Sequence, residues 1–237
     1  MQENTVFVRR YDTDDKRFLI REREIWRYSG YRGLKNGVEQ ELQDLLAQVI
    51  KELQNRFSYK ICYRKMKITW ENGIPQFPTC IDYLKQSNDL AKCLTGSDEI
   101  VVFSATIGLE LDRMIAKYQR ISPTKALLMQ AYGAERIECL CDVFCNEIKE
   151  ELQKEGLSCT ARFSPGYGDL PLEVQKQIFA LLDCQRQIGL TLNDSLLMTP
   201  SKSVTAIFGI GSCVGNTKEK NCNICKKNDC AYRRIDR

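Results

Sequence analysis

Glu99–Ile100–Val101–Val102–Phe103–Ser104–Ala105–Thr106 is a short run of β-branched and apolar residues between a turn at Thr95–Gly96 and a stop at Gly108. Eight such residues with no polar face predict a strand buried inside a sheet. Outward from it the pattern changes period. Leu109 to Tyr118 reads as a helix, and after Pro123 a long helix is predicted from Thr124 to Lys154, with Ala126, Leu127, Ala131, Ala134, Ile137 and Leu140 near its packed face. Thr160–Phe163 reads as a short strand, Ser164–Pro165–Gly166–Tyr167–Gly168 as a sharp turn, Glu173–Gln187 as a helix and Val204–Ile210 as the last strand. Upstream, Thr79–Leu94 reads as a helix with Thr79 as a possible N-cap, and Ser58–Ile68 alternates as a strand. A helix over Val38–Phe57 is carried by Leu42, Leu45, Leu46, Val49, Ile50, Leu53 and Phe57 at three- and four-residue steps. Helices and strands mix without a strict βαβ period. The fold class expected is α+β: one large domain with a mostly antiparallel, twisted sheet and packed helices.

The 237 residues are 43% hydrophobic and 28% charged, which excludes disordered and fibrous classes. No apolar run approaches a membrane span and no secretory signal is visible, so a cytoplasmic protein is expected. Seven of the 35 basic and three of the 31 acidic residues lie in the last 25 positions, so that tail holds the whole excess of +4. A neutral body with a short basic tail does not have the spread basic face of a nucleic-acid binder.

Histidine is absent and cysteine occurs twelve times. The first fact removes Ser–His–Asp and Cys–His catalysis. The acidic residues fall mainly on solvated helix faces, with no case for a carboxylate pair. Gly209–Ile210–Gly211 lacks the third glycine and following helix of a nucleotide fingerprint, and no P-loop occurs. Conventional hydrolase chemistry is therefore not expected. In a reducing compartment the cysteines are thiols or metal ligands. Cys213, Cys222, Cys225 and Cys230 follow C-x8-C-x2-C-x4-C, a compact four-thiolate pattern for zinc or an iron–sulfur cluster, and the basic tail would offset its negative charge. The other eight are scattered, and buried small hydrophobes is the expected reading for most of them.

The stretch Arg162–Phe163–Ser164–Pro165–Gly166–Tyr167 resembles the R-x-x-P-G-Y segment of the activation domain of cobalamin-dependent methionine synthase. The resemblance continues through Gly189–Leu190–Thr191–Leu192 and Met198–Thr199–Pro200–Ser201–Lys202–Ser203–Val204, where that family reads M-x-P-x-x-S-V. Phe103–Glu110 and Ala131–Glu135 resemble its strand-to-helix turn and long helix. Residues 95–210 form the activation-domain-like core on this comparison, 1–94 an N-terminal helical and strand part of looser similarity, and 211–237 a cysteine-rich metal-binding tail. The acidic residue of the family's D-W-T-P-type segment has no match among Asp12, Asp14 and Asp15, and its paired tyrosines after the last strand are missing.

The resemblance implies a free-standing S-adenosylmethionine-binding domain that reactivates a corrinoid partner, such as a methionine synthase core, as a methyltransferase component. The methyl group would trap re-reduced cob(I)alamin on that partner. Arg162 would contact the ligand's methionine carboxylate, and the backbone around Ser164, Gly166 and Tyr167 its adenosine and sulfonium parts. The alternatives are a metal-binding interaction module that has lost the ligand, and an electron-transfer module for a corrinoid protein.

Overall fold

A computed structural model describes residues 5–31, 39–77, 82–212 and 214. The expected central strand is β5 (Glu99–Thr106), and it stands in the middle of a five-stranded sheet. Its neighbours are β2 (Tyr59–Lys67) and β9 (Ser203–Gly211), with β1 (Phe7–Tyr11) and β6 (Ser158–Cys159) at the two edges. Every pairing in that sheet is antiparallel, as expected. Helices cover both faces. On one face Val101, Phe103 and Ala105 pack with α1 (Glu22–Tyr28), α2 (Gln40–Leu53), α4 (Glu110–Ile121) and α5 (Pro123–Gln153). On the other, Ile100 and Val102 pack with α3 (Asn88–Leu94), α6 (Val174–Leu182) and α7 (Cys184–Ile188). A strand covered on both sides needs apolar residues at odd and even positions alike, which is why its sequence is a run and not an alternation. Two small hairpins complete the architecture: β3 (Thr69–Glu71) with β4 (Ile74–Gln76), and β7 (Thr191–Leu192) with β8 (Met198–Thr199).

The 31-residue α5 is the longest element, about 46 Å at 1.5 Å per residue. It opens with Pro123, whose missing N–H costs nothing in a first turn. It lies close to α4: a Cβ on Gly133 would stand 2.1 Å from Leu111 Cδ2 and 3.1 Å from Lys202 Cγ, so the helix crossing requires a residue without a side chain there. Phe144 of α5 sits over the sheet, its ring 5.1 Å from those of Tyr63 and Phe103 and 6.4 Å from that of Phe208. Among the described residues no helix is long and apolar enough to cross a membrane.

Three expectations are corrected. The helix expected over 79–94 is a 3-10 turn (Asp82–Gln86) followed by α3, because Ser87 adopts extended backbone and its Oγ accepts a hydrogen bond from Leu90 N–H at 3.0 Å; Thr79 lies outside the described residues. The helix expected over 173–187 breaks at Asp183, which takes φ 47°, a left-handed conformation that aspartate tolerates better than most residues. The strand expected over 160–163 is β6 two residues earlier plus a single bridge between Phe163 and Ile207.

Truncating Phe144 removes a fully buried ring that three other aromatics contact. Phe144→Ala is expected to lower unfolding stability by about 3–5 kcal/mol in urea titration.

Candidate functional site

Glu135, Glu138 and Asp142 follow one another at three- and four-residue spacing and so line one stripe of α5. Each is paired with an arginine brought from elsewhere in the chain. Arg136 donates from Nη1 to Phe18 O at 2.9 Å and from Nη2 to Leu19 O at 2.6 Å, while its Nε donates to Glu135 Oε2 at 2.5 Å. The other Glu135 oxygen accepts from Arg21 Nε at 2.9 Å. Arg21 Nη1 then donates to Asp142 Oδ2 at 2.8 Å, and Arg162 Nη2 donates to Asp142 Oδ1 at 2.7 Å and to Glu138 Oε2 at 3.3 Å. The inner end of this ladder is dry, with the Glu135 side chain at 0% and Arg136 at 2% exposure. The outer end is open, with Arg162 at 25%, Glu138 at 38% and Asp142 at 39%.

Three positive and three negative groups balance, which a buried cluster requires. Burial alone would favour a neutral guanidine at Arg162, but neighbouring acidic groups, Glu138 and Asp142 among them, outweigh it and hold its pKa above the ordinary value. The thiols beside it stay protonated. Burial pushes Cys141 well up and Cys145 to about 12, so neither is a nucleophile at neutral pH.

Arg162 reaches α5 from a loop fixed at both ends. Phe163 exchanges two backbone hydrogen bonds with Ile207 of β9, each 2.8 Å. Beyond the turn, Asp169 caps α3: its carboxylate accepts from Ser87 Oγ at 2.5 Å, Asn88 N–H at 2.8 Å and Asp89 N–H at 3.2 Å. These donors, the Ser87 hydroxyl foremost, hold its pKa below the usual carboxylate value. Between the anchors, Gly166 has φ 87° and donates to Leu170 O at 2.9 Å, and Tyr167 N–H donates to Ser164 O at 3.2 Å. Gly168 is also left-handed, and a Cβ there would meet Asp89 Oδ2 at 2.6 Å. The Tyr167 side of the turn projects outward, 65% exposed.

The sequence-derived residues Arg162, Ser164, Gly166 and Tyr167 thus share one anchored loop, with Arg162 turned inward onto α5 and Tyr167 outward. The carboxylates of α5 were missed, since the acidic residues were expected mainly on solvated helix faces. Glu135 is instead fully buried, because Arg21 and Arg136 supply the counter-charge. The i, i+3, i+7 spacing was the available signal. Cys213, Cys222, Cys225 and Cys230 lie outside the described residues, as does Cys80. Cys62, Cys93, Cys139, Cys141, Cys145, Cys159 and Cys184 are free thiols, four of them fully buried as expected. Among the described residues no three histidine, cysteine or acidic side chains are arranged to hold a metal ion.

The family model described as the activation domain of vitamin B12 dependent methionine synthase matches residues 78–214. The crystal structure of the MetH reactivation domain bound to AdoHcy has a similar fold, with a TM-score of 0.64 at 16% identity, covering 86% of this chain and 78% of that one. No curated protein matches the sequence.

Because Asp169 is ionised when it accepts its three bonds and its folded pKa is depressed, its anchoring is present above the ordinary carboxylate pKa. It is lost as pH falls through the depressed value. Hydrogen exchange of the Gly166 and Leu170 amides is expected to quicken on acidification across that range. In Asp169→Ala the same amides should be fast already at neutral pH and lose this acid response.

Proposed function

This chain belongs to the family of the vitamin B12-dependent methionine synthase activation domain, and we propose that it binds S-adenosylmethionine to reactivate a corrinoid partner, such as a methionine synthase core. The observation that carries this reading is the state of Arg162. Its Nη2 is held by Asp142 and Glu138, while Nε and Nη1 make no hydrogen bond among the described residues. A guanidinium fixed through Nη2 keeps Nε–H and Nη1–H on separate edges, each able to give a single charge-assisted hydrogen bond to a carboxylate.

The donor set fits the ligand. S-adenosylmethionine carries a carboxylate, an ammonium and a sulfonium, and the site offers one partly free guanidinium beside two half-exposed carboxylates. Arg162 receives the ligand carboxylate, while Glu138 and Asp142 face the two cationic groups. The turn at Ser164, Gly166 and Tyr167 takes the nucleoside: Gly166 lets backbone come close, and the exposed Tyr167 ring offers an aromatic face. When bound, the ligand would supply an electrophilic methyl group that the partner's cobalt, once reduced by one electron from a low-potential donor, accepts with its own electron pair as neutral S-adenosylhomocysteine leaves. Nothing in that transfer needs a proton shuttle, so a chain without histidine is equipped for it. Its contribution is to hold and orient the reactants.

A second reading concerns the tail. The C-x8-C-x2-C-x4-C spacing of Cys213, Cys222, Cys225 and Cys230 would hold zinc or an iron–sulfur cluster, the latter a source for the electron in a reducing cytoplasm. Metal analysis of anaerobically purified protein, with Cys222→Ser/Cys225→Ser as the control, separates the two.

Calorimetric titration of the full chain with S-adenosylmethionine is expected to show binding. Arg162→Ala should weaken it about ten- to a hundredfold, the scale of one charge-assisted hydrogen bond or slightly more. Arg162→Lys should fall between. Equal affinity of wild type and Arg162→Ala, with both folded by circular dichroism, overturns the assignment.

A further inference from the structure

Cys62 lies in the middle of β2, directly opposite Ser104 of β5 in the antiparallel register. Cys184, the first residue of α7, packs down on this pair from the layer above, and its thiol donates to Ser104 Oγ at 3.2 Å. Paired residues of adjacent strands share a face, so the Cys62 side chain lies beside Ser104 on the side that Cys184 covers. Three residues far apart in sequence therefore place two sulfurs side by side against one hydroxyl, in an otherwise apolar layer that includes Val102, Ile207 and Leu182.

The two sulfurs are not equivalent. The interaction between the two thiols raises the pKa of Cys62 and lowers that of Cys184. When Cys184 ionises, the freely rotating Ser104 hydroxyl can turn and donate to it. Cys184 is only 1% exposed, yet it forms part of the wall of a surface groove. A groove of about 490 Å³ between α6–α7 and the β7–β8 hairpin is lined by Cys184 together with Phe179, Asp183, Leu190 and Leu192. Cys141, Cys145 and Cys159 also neighbour one another, but burial raises the pKa of each, as it does for Cys139.

We propose that Cys62 and Cys184 form a buried dithiol that a small hydroperoxide entering this groove oxidises to an intramolecular disulfide. The Cys184 thiolate attacks the outer peroxide oxygen, the O–O bond breaks, and the second oxygen leaves with a proton as water (an alcohol if the peroxide is organic). Cys184 is then a sulfenic acid. The Cys62 sulfur attacks it, the S–O bond breaks, and the hydroxide takes the Cys62 proton and departs as water. Two thiols lose two electrons and the peroxide gains them. The new bond ties the centre of the sheet to the start of α7. Neither step involves Arg162 or S-adenosylmethionine, so this inference stands apart from the proposed function.

The test is thiol mapping on the full, reduced chain. After removal of reductant and addition of one equivalent of hydrogen peroxide, the protein is unfolded in alkylating reagent and its peptides are sequenced by mass spectrometry. A Cys62–Cys184 linked peptide is expected, with free thiol at these two positions falling several-fold faster than at Cys141. In Cys62→Ser, Cys184 should be trapped by dimedone as sulfenic acid, and in Cys184→Ser the Cys62 thiol should stay reduced. Cys62 and Cys184 remaining as alkylatable as Cys141, or linked to other cysteines instead, overturns the proposal. Mapping of the wild-type chain decides the matter alone if either variant fails to fold.

Discussion

The strand Glu99–Thr106 is shut away from water on both sides, and the rest of the structure answers that constraint. Its backbone must be paired along its whole length, which β2 and β9 do residue for residue. Its side chains must be apolar or satisfied in place. Ser104 meets Cys184, and the Thr106 hydroxyl oxygen accepts from Ser203 at 2.9 Å. Covering both faces then takes two separate helical layers, which accounts for a core divided into two clusters.

The long helix α5 carries charge into one of those layers. A buried ion pair is a weak source of net stability, since desolvation offsets most of the attraction, but breaking one by removing a single partner costs about 3–5 kcal/mol. Glu135 and Arg136 are of this kind, and they commit their neighbours. Arg21 must face Glu135, Asp142 must face Arg21, and Arg162 comes to rest against Asp142. The orientation of Arg162 is thus referred back, bond by bond, to a pair that cannot move cheaply. This is how a loop residue gains the fixed position that recognition of a small zwitterion demands.

Much of this was legible in the amino-acid order. β5, β9 and α5 were read because burial on two faces leaves an unbroken apolar run and burial of one helical stripe leaves a 3.6-residue rhythm. β1 was not, since Phe7–Tyr11 is a partly exposed edge whose Arg9 and Arg10 give no strand pattern; it is held by pairing with β2. The breaks at Ser87 and Asp183 were missed because a cap and a left-handed aspartate depend on one residue's local geometry. In the site, the turn from Ser164 to Gly168 declared itself through proline and glycine. Its carboxylate partners did not. Asp142 and Glu135 meet Arg21 across 121 and 114 positions, and their shared helical stripe, the one local signal, does not say which arginine answers it.

The recognisable part of the sequence begins at residue 78, yet the material before it is woven into the same body. Arg136 rests two of its N–H groups on the peptide oxygens of Phe18 and Leu19, and β2 supplies the whole of one flank of β5. A fragment cut at the family boundary would keep the signature and forfeit the structure, with a bare strand edge and a stranded guanidinium. What the first third lends is of two kinds: carbonyls and amides, which every residue type except proline carries in full, and buried apolar side chains such as Ile25, Leu53 and Ile61. The first kind leaves the choice of residue open, while the second confines it to side chains that fill the same space without polar atoms.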